Sequence, residues 1–150
     1  MIEVKAPESR GMTEFPTIFL AGSIEMGNAE PWQKKVVEAL ADKNVVFYNP
    51  RRDDWDSSWK QEADNPKFRE QVEWELEALH DADLIIVYFD PNTKSPVTLL
   101  ELGLCAWRNT IVCCPEGFWR KGNVDIVCER CDIPQVSSLD KLITGLREIY

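Results

Sequence analysis

A chain of 150 residues that is 44% hydrophobic and 29% charged has the size and balance of one globular domain, which excludes a fibrous or disordered protein. Seventeen basic against 26 acidic residues give a formal charge of −9 with no basic stripe, which excludes DNA and RNA polymers as expected partners. The longest apolar run, residues 84–89, is far short of the ~20 residues a membrane span needs, so no membrane partner is expected either.

Residues 1–15 contain Pro7 and Gly11, show no periodicity and have no apolar segment, so they are expected as a flexible arm, neither signal peptide nor anchor. The domain proper is expected over residues 16–150. Residues 17–21 (TIFLA) form a short apolar run ending in Gly22 and Ser23, the pattern of a central strand entering a ligand-facing loop. Pro31 suits a first helical turn, and Trp32, Val36, Val37 and Leu40 recur at helical spacing up to Asp42. A second strand is expected over residues 45–48. Residues 49–65 are polar and hold Trp55 and Trp59, a long loop of the kind that usually carries function. Pro66 opens a second helix with Phe68, Val72, Leu76 and Leu79 as its apolar stripe, and residues 83–89 make a third strand.

Ser95 and Pro96 predict an N-cap and first-turn proline for a third helix reaching about Trp107. A fourth strand follows at 110–114, then a loop rich in glycine and aromatics, a fifth strand at 124–127 and an amphipathic helix over 139–150. Strands alternating with helices, the strands apolar throughout, predict a Rossmann-like α/β fold: a five-stranded parallel sheet covered on both faces. Five cysteines, with Cys113 and Cys114 adjacent in an expected strand, suit reduced thiols and a cytoplasmic location.

In such sheets ligands bind outside the carboxyl ends of the strands. That rule selects segments 22–27, 49–59, 90–95 and 115–123, and within them Gly22, Ser23, Asn49, Asp90 and Ser95. In the third helix, SPVTLLELGLCAW, Glu101 is the one ionisable group other than a thiol. It borders the buried stripe, where desolvation raises a carboxylate pKa unless a donor stabilises the anion. The alternatives are escape to the surface or pairing with Arg108. In the second helix Glu73 and Glu77 fall on the outer face, Glu73 within reach of Arg69, whereas Glu75 sits at the edge of the core with Gln71 one turn before it. Glu75 is either a solvated charge or a partner for Glu101.

The segments IFLAGSIEMG, YNPRRDDWDSSW, QVEWELEALHDAD, SPVTLLELG and CPEGFWRKGNV, in this order over about residues 16–128, resemble the nucleoside 2-deoxyribosyltransferase family, in its branch of short transferase-like proteins. The resemblance implies a flavodoxin-like three-layer sandwich. It places the nucleophile, the Glu of an E-L-G motif, at Glu101, and a second catalytic group, usually Asp, at Glu75. Phe19 falls where an aromatic, commonly Tyr, lines the sugar site. Asn123 falls where family members lend an Asn to a neighbouring subunit, which implies a homo-oligomer with shared active sites. Ser95 stands where many members have an acid that meets the base, and Asp54 and Trp55 are candidates to replace it by hydrogen bonding and stacking. Each of these two has an alternative, a loop cap and a core plug. The implied partners are a nucleoside and a free base, with no cofactor.

The branch that cleaves nucleoside 5′-monophosphates has a basic residue after the first strand. Here Glu25 stands in that loop and favours an unphosphorylated nucleoside. Arg51 and Arg52 keep the nucleotide open, unless they pair with Asp53, Asp54 or Asp56. Cys128 and Cys131 form a C-x-x-C, yet adjacent cysteines in a strand point to opposite faces, so four thiolates do not converge on zinc. His80 ends a helix among acids, where a cation suits the helix dipole. The expected activity is base exchange on 2′-deoxynucleosides through a covalent glycosyl-Glu101 intermediate with retention. Simple hydrolysis of nucleosides or their monophosphates, or nucleotide binding without turnover, are the alternatives.

Overall fold

The computed structural model describes residues 1–24 and 29–150. In chain order its elements are β1 (Ile2–Lys5), β2 (Thr17–Gly22), α1 (Trp32–Ala39), β3 (Val46–Asn49), α2 (Pro66–Asp81), β4 (Leu84–Tyr88), α3 (Pro96–Cys105), β5 (Thr110–Cys113), α4 (Lys121–Arg130), β6 (Gln135–Val136) and α5 (Leu139–Ile149). The strands make one six-stranded sheet in the order β1-β3-β2-β4-β5-β6, with every pairing parallel. Without β1 this is the 2-1-3-4-5 order of flavodoxin-like folds.

Alternation along the strands divides the apolar side chains between two cores. Phe19, Ala21, Tyr48, Ile85 and Val87 point to one face, where Trp74, Ala78, Leu102, Cys105, Val124 and Cys128 of α2, α3 and α4 cover them. Ile18, Leu20, Phe47, Leu84 and Ile86 point to the other and meet Trp32, Val36 and Leu40 around α1 and Leu142 and Leu146 of α5. The result is the expected three-layer sandwich. Cys113 and Cys114 fall in opposite cores. Among the described residues no helix is long and apolar enough to cross a membrane.

The expected count of five strands is corrected to six, at both edges. Residues 2–5, expected within a flexible arm, form β1, which continues into the loop through Ala6 N–H donating to the Asn49 carbonyl at 3.1 Å. The strand expected at 124–127 lies inside α4, because burial selects Val124 and Cys128, four residues apart, and leaves Ile126 exposed. Its place in the sheet is taken by the two-residue β6. The apolar stripe expected on α2 is also rotated: Gln71, Trp74, Ala78 and Leu79 are the buried residues and Leu76 is exposed. Phe68 and Val72 line a cavity instead.

Candidate active site

A cavity of about 880 Å³ opens at the carboxyl ends of β2 and β3, between the loop after β3 and the helices α2 and α3. Its volume falls in the range that takes a small organic ligand. Glu101 from α3 and Glu75 from α2 both line it. Glu101 keeps only 8% of its surface exposed. It does not pair with Arg108, whose guanidinium donates instead to the Ala82 carbonyl at 3.2 Å. Burial, and then the neighbouring charge of Glu75, push the Glu101 carboxyl up to about 8. Burial also pushes Glu75 up to about 7, opposed by a hydrogen bond from Gln71 Nε2 to Glu75 Oε1 at 2.7 Å. The same Nε2 donates to the Pro50 carbonyl at 2.8 Å, so Gln71 ties α2 to the loop after β3.

The site therefore holds two desolvated carboxyls near enough to feel each other's charge. The two proton losses belong to the pair and not to either residue alone. With one proton between them, the pair supplies an anion and an acid in one cavity.

Gly22, Trp55 and Ser95 line the same cavity. Gly22 cannot carry a side chain: an added Cβ would lie 2.6 Å from both Trp32 Cζ2 and the Tyr88 carbonyl oxygen. Trp55 is packed edge to face against Trp59, ring centres 5.2 Å apart. Ser95 is the N-cap of α3 with Pro96 in the first turn, as expected, but it takes a left-handed conformation, φ 48°, and its side chain makes no capping hydrogen bond. Its hydroxyl contacts Ser23 and Thr93 instead. Ser23 is buried behind the cavity, where its hydroxyl also accepts from Asp90 N–H at 2.9 Å, locking together the loops that follow β2 and β4.

Five other candidates lie away from the cavity wall. Phe19 is wholly buried in the core under α2 and α3. Asn49 is buried, with Nδ2 donating to Glu3 at 2.7 Å and Oδ1 accepting from Arg51 N–H at 3.0 Å. Asp90 lines a separate cavity of about 680 Å³ with Glu30 and Tyr88, and accepts from Glu30 and Asn92 N–H groups. Asp54 is exposed and grips Arg52 at 2.8 and 3.0 Å. Asn123 is exposed near the start of α4. Glu25 lies outside the described residues.

Sequence reading gave Gln71 no role beyond sharing an edge with Glu75. The signal was its place one turn before a core-edge acid. Arg51, Arg52 and Lys94 also line the cavity, a basic side that net charge conceals. Arg52 is buried, bonded to Asp54 and Glu70, and lies 5.1 Å from the Trp59 ring centre. Lys94 sits 4.5 Å from the ring centre of Trp119.

The model of a family described as "Nucleoside 2-deoxyribosyltransferase like" matches residues 16–118, which include every element that bounds the cavity. Among solved structures, the chain is similar to a conserved protein from Enterococcus faecalis V583, with a TM-score of 0.59 at 14% identity, covering 91% of this chain and 99% of that one. This likeness is one of fold alone. No curated protein matches the chain.

Proposed function

The chain belongs to the nucleoside 2-deoxyribosyltransferase-like family, and on that premise we propose that it exchanges the base of 2′-deoxynucleosides by double displacement at Glu101. The observation that carries the reading is a pair of carboxyls lining one cavity, a buried Glu101 and a half-buried Glu75, both raised above the ordinary carboxylate range. The pair's one proton, which rests on Glu101, first passes to Glu75; the freed Glu101 oxygen attacks C1′ as the bond from C1′ to the base nitrogen breaks, and the departing base takes that proton from Glu75. An incoming base then attacks C1′, the ester to Glu101 breaks, and the proton of the incoming nitrogen returns to Glu75. Two inversions give retention. The 2′-deoxy sugar lacks the hydroxyl that disfavours a cationic C1′, so a carboxylate and good positioning suffice. Retaining enzymes of this kind hold their carboxyls about 5 Å apart.

Trp55, held by Trp59, offers a face on which a base stacks. We also assign a homo-oligomer. Val97, Leu100, Leu104 and Trp107 are exposed apolar residues along α3 and just beyond it, Val97 at the rim of the cavity, and a second copy is the occupant that would bring an exposed Asn123 to a neighbour's cavity. The five reduced cysteines suit the cytoplasm.

The test is incubation of the chain with a 2′-deoxynucleoside and a second free base, the products separated by chromatography. Exchanged nucleoside is expected, falling by at least about 10³-fold in Glu101→Ala. Free sugar without exchange would make the chain a hydrolase acting through the same carboxyls, and ligand binding without any cleavage would overturn the enzymatic reading.

A further inference from the structure

Among the described residues Arg51 lines the cavity without an ion pair. Three aspartates surround Arg51 in sequence, and all are committed elsewhere. Asp53 pairs with Lys5 at 2.8 Å, Asp54 with Arg52 at 2.8 Å, and Asp56 accepts from the Ser58 N–H at 2.8 Å. Glu70, the next acid in reach of the loop, is taken by Arg52 and Lys67. Among the described residues no ion pair involves Arg51, and its Nη1 is buried with no hydrogen-bond partner. Glu75 and Glu101 do not neutralise it, since Arg51 is not among the groups that shift either carboxyl.

The backbone beside this guanidinium is clamped. The Pro50 carbonyl is held by Gln71, the Arg51 N–H by Asn49, and Arg52 is anchored in its own ion pairs. Arg51 is thus presented to the cavity by a fixed loop, and Lys94 lines the same cavity. A half-buried guanidinium with one buried nitrogen left without a hydrogen-bond partner is costly, and an uncharged ligand would leave it so. A phosphate monoester relieves it, because the planar guanidinium matches two phosphate oxygens.

We propose that Arg51 binds a phosphate on the substrate, so that the cavity takes a nucleoside 5′-monophosphate in preference to the free nucleoside. The nucleoside part of this ligand rests on the glycosidic reading above; the anion rests on Arg51 alone. The cavity is then polarised, with the carboxyl pair at the sugar's C1′ and the cation at its phosphorylated end.

Calorimetric titration of the full chain carrying Glu101→Gln, which avoids turnover, compares a 2′-deoxynucleoside 5′-monophosphate with the same unphosphorylated nucleoside. At least tenfold tighter binding of the monophosphate is expected, with inorganic phosphate competing. Adding Arg51→Gln should lower that ratio at least fivefold, and Arg51→Lys should restore part of it. Equal affinity for the two ligands in the Arg51 protein, or a ratio that Arg51→Gln leaves intact, overturns the proposal. The two readings fail separately: base exchange with no preference for phosphate sinks this one and spares the glycosidic one. Phosphate preference that depends on Arg51, with no cleavage of the C1′ to nitrogen bond, does the reverse.

Discussion

Replacing Glu101 by Gln should abolish exchange and at the same time make the protein more stable, increasingly so as pH rises. In the unfolded chain a Glu carboxyl titrates near 4.5, whereas in the fold burial and Glu75 raise it to about 8. The folded state therefore holds a proton that the unfolded state releases, and wild-type stability falls as pH rises between these two values. At about 1.4 kcal/mol per pKa unit the difference reaches about 5 kcal/mol for a rigid, dry surround, and still several kcal/mol after relaxation. Glutamine has nearly the same shape and never ionises, so it escapes this penalty. Thermal melts of the two proteins should coincide near pH 4.5 and diverge to more than about 5 °C by pH 9, at about 2–4 °C per kcal/mol for a chain of this size. A melting difference that does not change with pH would refute the claim that this carboxyl is desolvated in the fold.

The proposed double displacement needs one proton on the pair, so kcat/KM for exchange should be bell-shaped, falling below about 7 and above about 8. Glu75→Gln removes the acid and should slow exchange by about 10²–10⁴-fold. It also removes the charge that raises Glu101, so the limb reporting Glu101 should move to lower pH in stopped-time assays across pH. Gly22→Ala places a Cβ against Trp32 and the Tyr88 backbone and should cost about 1–3 kcal/mol in urea unfolding. Leu100→Asp, at an exposed apolar position of α3, should convert the proposed homo-oligomer to monomers in light scattering while leaving the far-ultraviolet dichroism of the fold unchanged.

The central strands were readable because β2, β3 and β4 are buried on both faces and so appear as continuous apolar runs. The sheet edges were not. In β1 Glu3 and Lys5 interrupt the apolar residues, and β6 has only two residues, too few for any period to show. Val124, Ile126 and Val127 are β-branched, which suits a strand by propensity, yet tertiary packing on Cys128 overrides it. Glu101 stood out because it is the one ionisable group on its helix other than a thiol, whereas Glu75 is one of several acids on α2 and only the cavity separates it from them. The strand-end rule finds positions and not directions: Asn49 and Asp90 occupy the selected ends but spend their oxygens on nearby backbone N–H groups. Nor can the order of letters in PRRDD say which arginine meets which aspartate. That is decided by Lys5 reaching from β1 to take Asp53.

Gln71 has one amide nitrogen and two duties. One hydrogen steadies the Pro50 carbonyl at the root of the tryptophan loop, and the other lowers the proton affinity of Glu75. A movement that lifts the loop by rotating this amide weakens both bonds together, and Glu75 then grips its proton harder. The seating of the tryptophan loop and the proton affinity of Glu75 are thus tied to a single side-chain torsion.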